Sequence, residues 1–418
     1  AVPLAFLGAY RLARSFTELR YLALLAALLY SFSPVTLSAV NSGRLGTVAL
    51  LIIGPWIFRS LLGFEKLEAI SWRGIWSLAL IVSVVFAFSP LTFLALMIWQ
   101  VILFLSDLIS FNKVSPQFTK EEFDQRNSRR IAIVVTPTVL TIPWSLEFIL
   151  HPSRILLDPG LNISGGSVLS IVTGNPGGIG SNPLWIFSPI LILAITSIFV
   201  SRTGRLGEVA LYFLGLAAVF GSREVAGHGT FEAQRLWVGT LIVIPTLAAI
   251  LAAVIIVDYY VPKISAEHVD YRHIMLGLIS ALTIFSVVGS MFWWVATSAS
   301  APLQERTKSA LPAFLSSSAQ TDDRFKTLVL RYEGEQVRYF IARDHDLYLG
   351  EPDVMNALAK PVTKAIEDLI TGSGVTSSQV LAQFGIRYIF LARPYKEELT
   401  RTIDGAGGFT RASSTDEG

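Results

Sequence analysis

Apolar and polar positions along the chain follow two regimes. Through residue 298 long apolar runs alternate with short polar links, and from residue 321 short alternating runs and helix-period segments take over. A helix rising about 1.5 Å per residue needs roughly 20 residues to cross a hydrocarbon core about 30 Å thick. Runs of that order occupy 21–40, 45–63, 74–88, 91–109, 131–150, 183–200, 207–221, 236–257 and 274–298, after an apolar remnant at 1–10. The pattern predicts an α-helical polytopic membrane protein of about ten spans, the first one truncated, followed by a small C-terminal α/β domain. Because the chain opens inside an apolar run with no initiator Met, it reads as a piece of a longer protein.

Segment 74–109 has two readings, one helix kinked at Pro90 or a hairpin of two short spans, and charge separates them. With a hairpin, the links on one side carry Arg11, Arg14, Arg20, Arg59, Lys66, Arg73, Lys113, Lys120, Arg126, Arg129, Arg130, Arg202, Arg205, Lys263 and Arg272, against Arg44, Arg154, Arg223 and Arg235 on the other. A single crossing flips everything upstream and erases this asymmetry, which normally sets orientation. The hairpin is therefore expected, with Arg44, the link 151–182 and the tail on the extracytoplasmic side of the plasma membrane. Trp144, Trp185, Trp237, Trp293 and Trp294 then fall at outer span ends, as interfacial anchors would. The link 111–130 reads as a solvated cytoplasmic loop with a helix start at Ser115-Pro116 and one amphipathic turn over Lys120–Phe123. Gly174–Gly180 (GNPGGIG) lacks the Lys-Ser/Thr of a phosphate loop and reads as a flexible connection.

Three regions follow: a transmembrane domain over 1–298, a linker over 299–320 and an extracytoplasmic α/β domain over 321–418, cut off at its end. In the last, alternation over 327–332 and 336–342 predicts a β-hairpin. Asp353 caps a helix to Thr371, a second helix starts near Ser377, 386–391 is a buried strand, and a helix covers 395–403.

Composition agrees with the membrane reading: 52% of the 418 residues are hydrophobic and 15% charged, and the mean hydropathy is +0.56. No cysteine is present, so disulfides, thiolate metal sites and cysteine nucleophiles are excluded. The five histidines form no His-Glu-x-x-His motif or i,i+4 pair, and no Gly-x-Ser-x-Gly occurs, so no metal site and no serine hydrolase is expected. Nothing points to nucleic acid. The remaining chemistry clusters at the outer face. Glu147, near the end of span 131–150, is followed by His151, Arg154 and Asp158, and Arg44 joins them from the link before span 45–63. An acid or base, an imidazole and two cations suit a lipid-linked phosphate. The plainer alternative is that Arg44 and Arg154 snorkel to headgroups while Glu147 pairs with a neighbouring span.

Leu29-Tyr30 through Pro34, Gly43-Arg44-Leu45-Gly46, His151-Pro152 and the apolar run restarting after Gly177-Gly178 and Pro183 resemble the membrane-embedded C-terminal portion of large actinobacterial family 2 glycosyltransferases. In the tail the likeness rests on Leu328-Val329-Leu330, Val337-Arg338-Tyr339, Leu349-Gly350, Asp353-Val354 and Gly385-Ile386-Arg387-Tyr388, the last also similar to outer domains of GT-C transferases, which use polyprenyl-phosphate sugars. The resemblance implies the membrane module of a cell-envelope glycosyltransferase acting on a lipid-linked sugar or polysaccharide. Its partners would be the bilayer and a polyprenyl-phosphate-linked glycan. The resemblance places the catalytic residues upstream of Ala1 and no cofactor in this stretch, leaving room for a divalent metal in the upstream domain. A transporter or flippase for a lipid-linked glycan is the competing expectation, and a scaffold whose outer domain binds a partner is a third.

Overall fold

The computed structural model describes residues 1–62, 67, 70–112, 119–150, 152–156, 158, 160–161, 164–178, 180–187, 192, 195, 203–226, 233–265, 271–298, 311–320, 324–333, 336–343, 360–393 and 395–412. The chain divides into two compact units, residues 1–223 with 235–303 and residues 224–234 with 304–418.

The first unit is helical. Its elements are α1 (Val2–Arg14), α2 (Arg20–Ser31), α3 (Pro34–Asn41), α4 (Leu45–Leu61), α5 (Trp72–Phe88), α6 (Pro90–Phe111), α7 (Lys120–Leu140), α8 (Trp144–Leu150), a 3-10 turn (Pro152–Leu156), α9 (Val168–Val172), α10 (Gly204–Gly221), α11 (Gly239–Ser265) and α12 (Tyr271–Ser298). Among the described residues, four helices (α6, α10, α11 and α12) are long and apolar enough to cross a membrane alone, or six spans if the bent pairs α2–α3 and α7–α8 each count once. The expected ten shrinks because α4 and α5 hold only 17 residues each and because most of 188–200 lies outside the described residues.

Small residues let the first helices approach closely, as lipid-embedded interfaces require. Ala5, Ala9 and Ala13 of α1 and Ala23, Ala26 and Ala27 of α2 are buried, and these two helices pack together while α1 also packs on α4. At Gly8 a Cβ would lie 3.2 Å from Trp56 Nε1 and 3.3 Å from Pro55 Cβ. Helix α11 is the axis of the unit. Leu241 to Ile244, Leu247, Ala248 and Ile250 to Ala252 are buried, and α11 touches α1, α2, α3, α4, α6, α10 and α12. A helix apolar on every side belongs in a protein core or a bilayer, and this one is enclosed mainly by its neighbours. By contrast, α6 and α12 leave Val101, Ile102, Leu105, Ile109, Ile284, Val288 and Phe292 exposed, as a lipid-facing side does.

Segment 74–109 breaks at Ser89, whose backbone is non-helical and whose hydroxyl caps α6 by accepting from Thr92 N. Phe86 and Phe93 stack at 4.2 Å across that break. At the far ends, Arg126 and Arg130 reach Asp107 near the end of α6, at 3.3 and 2.6 Å. Adjacent Arg129 donates to the Leu67 carbonyl at 2.6 Å and lies over the Trp72 ring, where α5 begins. Two arginines one residue apart thus reach both the start of α5 and the end of α6, so the two helices fold back on each other. The same contacts revise the link 111–130. Rather than one turn over Lys120–Phe123, it yields a helix from Lys120 that continues unbroken to Leu140, opened by the reciprocal capping box of Thr119 and Glu122, while Ser115-Pro116 lies outside the described residues.

Two expected spans are broken. The run 21–40 bends by 42° between α2 and α3, where Pro34 opens the second helix, and the run 131–150 bends by 99° between α7 and α8, past Pro137 and Pro143. Proline removes a backbone donor and terminates the preceding helix.

The second unit contains β1 (Glu224–Ala226) and most of β2 (Ala233–Arg235), then α13 (Ala313–Ala319), β3 (Lys326–Glu333), β4 (Gln336–Ala342), α14 (Lys360–Thr371), α15 (Ser377–Gln383), β5 (Ile386–Ala392) and α16 (Glu397–Gly405). The expected hairpin forms as antiparallel β3–β4, with Thr327 opposite Ala342 and Glu333 opposite Gln336. β5 joins β3 in parallel, giving the order β4-β3-β5. One buried cluster gathers Leu328, Leu330 and Ile386 with Val362, Ile366 and Leu369 of α14, Leu381 of α15 and Leu399 and Ile403 of α16. The other gathers Val329, Phe390 and Ala392 with Leu311 and Leu315, so α13, inside the stretch read as a linker, belongs to the core. Helix α14 is described from Lys360, and Asp353 lies outside the described residues. Past α16, Arg411 donates to Asp404 at 3.1 and 3.2 Å and holds that carboxyl below the usual carboxylate range.

The Asp107 cluster should be what fastens α6 to α7. Replacing Arg130 with Ala leaves a largely buried carboxylate short of one partner and should destabilise the purified protein by about 3 kcal/mol. Thermal unfolding in a mild detergent should therefore shift well below wild type for Arg130→Ala and only slightly for exposed Arg401→Ala.

Candidate functional site

The segment 158–161 is tied to the start of α4. Arg44, the residue before that helix, is buried at 7% exposure. Its Nη1 donates to the Asp158 carbonyl and its Nη2 to the Leu161 carbonyl at 2.6 Å, while its guanidinium lies 5.0 Å over the Trp237 ring. Leu161 N returns a bond to the Ser42 carbonyl at 2.9 Å. The Asp158 carboxylate accepts from Thr47 Oγ1 at 2.7 Å. The packing leaves no room for larger side chains. A Cβ on Gly46 would sit 2.3 Å from the Phe88 carbonyl and 2.6 Å from Asp158 Oδ1, and one on Gly160 would sit 2.6 Å from Arg44 Cδ. Arg44 therefore acts as a clamp that satisfies buried carbonyls, with its guanidinium turned into the protein where snorkelling toward headgroups was the alternative.

Glu147 of α8 and Arg154 of the 3-10 turn that follows it are brought together past the α7–α8 bend, where the turn packs on α8. They form an ion pair with side chains 32% and 17% exposed. Phe148, beside Glu147, packs on Phe86 at 5.7 Å and on Trp144 at 5.0 Å, which fixes α8 against the α5–α6 turn. His151 lies outside the described residues. Of the five residues singled out, the structure thus joins Arg44 with Asp158 and Glu147 with Arg154. Among the described residues no group of three or more His, Cys, Asp or Glu is placed to hold a metal ion.

A second polar network was not anticipated, because none of its members is charged. The glycine-rich segment 174–183 packs against α3, the start of α11 and the end of α12. Gly177 carbonyl accepts from Ser38 Oγ at 2.5 Å and from Trp237 Nε1 at 3.3 Å. Trp293 Nε1 donates to the Ser181 carbonyl at 3.2 Å, and Trp294 Nε1 to Asn41 Oδ1 at 3.4 Å. Asn182 Nδ2 faces Ser290 Oγ at 2.7 Å. Positive φ at Gly177 and Gly180 lets the backbone turn here, and a Cβ on Gly177 would fall 2.5 Å from Gly166 N. This is a packed connection with buried polar bonds, where a flexible loop was expected. The indoles of Trp237, Trp293 and Trp294 serve it as donors, and Trp237 is almost wholly buried, where interfacial anchors were expected.

Some polar atoms in this region have no partner among the described residues: Asn41 Nδ2, Asn182 Oδ1 and Ser286 Oγ. Ser286 lies on α12 one turn before Ser290, on the same face. Turning the Asn182 amide over does not remove the deficit, since only one of its two polar atoms faces Ser290. A buried polar atom left without a hydrogen bond costs about 1–3 kcal/mol. Gln100, midway along α6, leaves both amide atoms without a partner in the protein. The one sequence signal for the network is the concentration of Asn, Ser and Thr in runs flanking apolar spans, such as Ser38 to Ser42 and Ser181-Asn182.

No protein-family model, curated protein or solved structure matches the chain.

The clamp can be tested by crowding it. Gly46→Ala should destabilise the protein by about 1–3 kcal/mol, the usual range for a group forced into a filled site. Thermal unfolding in detergent should register the loss, and the exposed Gly407→Ala should leave the midpoint in place.

Proposed function

We propose that this chain is the membrane module of a cell-envelope glycosyltransferase that acts on a lipid-linked sugar or polysaccharide, with the catalytic domain upstream. The observation that carries this reading is the neutral amide, hydroxyl and indole network buried at one end of an otherwise apolar bundle. Donors and acceptors without charge suit a polyhydroxylated head group, and the surrounding lipid-facing helices suit its isoprenoid tail. The resemblance of Leu29 through Gly46 and of the tail strands to actinobacterial family 2 glycosyltransferases points the same way. In this reading Glu147 and Arg154 serve the carrier phosphate, and Arg44 with Asp158 ties down the chain that follows them. The module lies in the plasma membrane with residues 321–418 outside, the orientation that the distribution of Lys and Arg over the links supports.

A flippase for the same lipid-linked glycan is the second reading, favoured by the two broken helix pairs α2–α3 and α7–α8, since discontinuous helices flank substrate sites in many transporters.

The two readings separate once the membrane barrier is removed. Cells lacking the coding region for residues 1–303 should lose the glycan product. In detergent-disrupted membranes from those cells, with donor and acceptor supplied, a missing transferase module should leave synthesis defective, whereas restored synthesis would identify a flippase. Orientation has its own test, because the chain has no cysteine. A Ser373→Cys variant should react with a membrane-impermeant maleimide in intact cells and Gln125→Cys only after permeabilisation; the reverse pattern would turn the topology over.

A further inference from the structure

The neutral network gives the proposed module a specific place for its substrate, and this inference rests on that reading. Its members come from three separate elements. Asn41 ends α3, Ser181 and Asn182 belong to the glycine-rich segment, and Ser286, Ser290, Trp293 and Trp294 line successive turns of α12. Asn41, Asn182, Ser286 and Ser290 are 5%, 1%, 0% and 2% exposed. Asn41 Oδ1 is held by the Trp294 indole, so its Nδ2 is left as a donor; the Asn182 amide and the Ser286 hydroxyl leave further polar positions without protein partners. Donors and acceptors side by side match hydroxyl groups, which do both. Phosphate would instead call for cationic or backbone N–H donors, and none of these seven side chains carries charge. The two indoles add flat apolar faces of the kind on which sugar rings rest.

We infer that Asn41, Asn182 and Ser286, with Trp293 and Trp294, form the subsite for the sugar of a lipid-linked substrate, entered beneath the segment 174–183. That segment closes the site from one side. Asn41 packs directly against Gly180, where a Cβ would fall 1.9 Å from Nδ2, so the segment must draw back for a ring to enter. Bonds from Ser38 and Trp237 to the Gly177 carbonyl, from Gly166 N to the Pro176 carbonyl at 2.8 Å and from Trp293 to the Ser181 carbonyl hold it, and these are the contacts that would yield while Asn182 stays on Ser290. Selectivity follows from the same groups, because a site built around hydroxyls rejects a ligand that cannot bond to them.

The test uses the whole chain in phosphatidylcholine nanodiscs and follows tryptophan fluorescence during titration with n-octyl β-D-glucoside below its micelle concentration. Wild type should show a saturable change, while n-octyl phosphocholine and farnesyl phosphate, which carry a chain without a sugar, should not produce it. Asn41→Leu and Asn182→Leu should weaken the response by about tenfold each, the worth of one hydrogen bond. Should either leucine variant fail to stay monodisperse, Ser286→Ala decides, since it removes one oxygen without touching the segment, and it too should weaken binding. A response that never saturates, that farnesyl phosphate reproduces, or that survives in all three variants overturns the subsite. If glucoside binding fails while deletion of residues 1–303 still abolishes glycan synthesis in disrupted membranes, the subsite falls and the module reading stands.

Discussion

Inside a hydrocarbon layer a backbone carbonyl that leaves a helix has no water to accept from, and every irregular stretch of this chain must find donors within the protein. The clamp made by Arg44 is the clearest case. The chain between the 3-10 turn and α9 is irregular where described, and two of its carbonyls are met by one guanidinium whose planar fork can serve both at once. Trp237 covers the charge from the other face. Around that single residue are gathered the start of α4, the Ser89 turn through Gly46, and the start of α11. At the opposite end of the helices Arg126, Arg129 and Arg130 do the same for Asp107 and the Leu67 carbonyl. Both ends are fastened by arginine, and the apolar length between them needs only shape.

The two polar ends differ in kind. At the arginine-rich end, formal charges meet one carboxylate and one carbonyl, and long-range charge asymmetry supports an orientation. At the Arg44 end, beyond the clamp and the Glu147–Arg154 pair, the groups are amides, hydroxyls and indoles. Charge buried in lipid is costly and is retained only when paired, while neutral dipoles cost less and can wait for a partner. A region that keeps neutral polar atoms without protein partners is therefore suited to a ligand that arrives with its own hydroxyls.

Much of this was legible from sequence, for identifiable reasons. The fold-back at Ser89 followed from counting Lys and Arg, because orientation responds to those charges wherever they lie along the chain. The hairpin β3–β4, the strand at 386–392 and the helices after Ser377 followed from periodicity. Hydropathy misjudged α7, because Lys120 to Arg130 is polar and reads as a link; the local capping box of Thr119 and Glu122 carries no hydropathy, and the bonds that hold the polar half to Asp107 and Leu67 join residues farther apart in sequence. It also ran through the breaks at Phe32-Ser33 and at 141–143, since a window over apolar residues does not register a bend. Arg44, Glu147, Arg154 and Asp158 were picked out as sparse charges in an apolar chain, but their pairing was not, with 114 positions between Arg44 and Asp158. The neutral network was invisible, since asparagine and serine at 41, 182, 286 and 290 are unremarkable one by one.

The enclosure of α11 has a bearing on how the protein is made. This helix is synthesised after α1 to α10, yet it is the post around which α1, α2, α4 and α10 are arranged. Helices α1, α2 and α4 can pack on one another beforehand, but the sides they turn toward the post have no protein neighbour until it arrives. Assembly is therefore governed by the late insertion of one apolar helix, and a chain stalled before residue 239 would present the quality-control machinery with a hollow bundle.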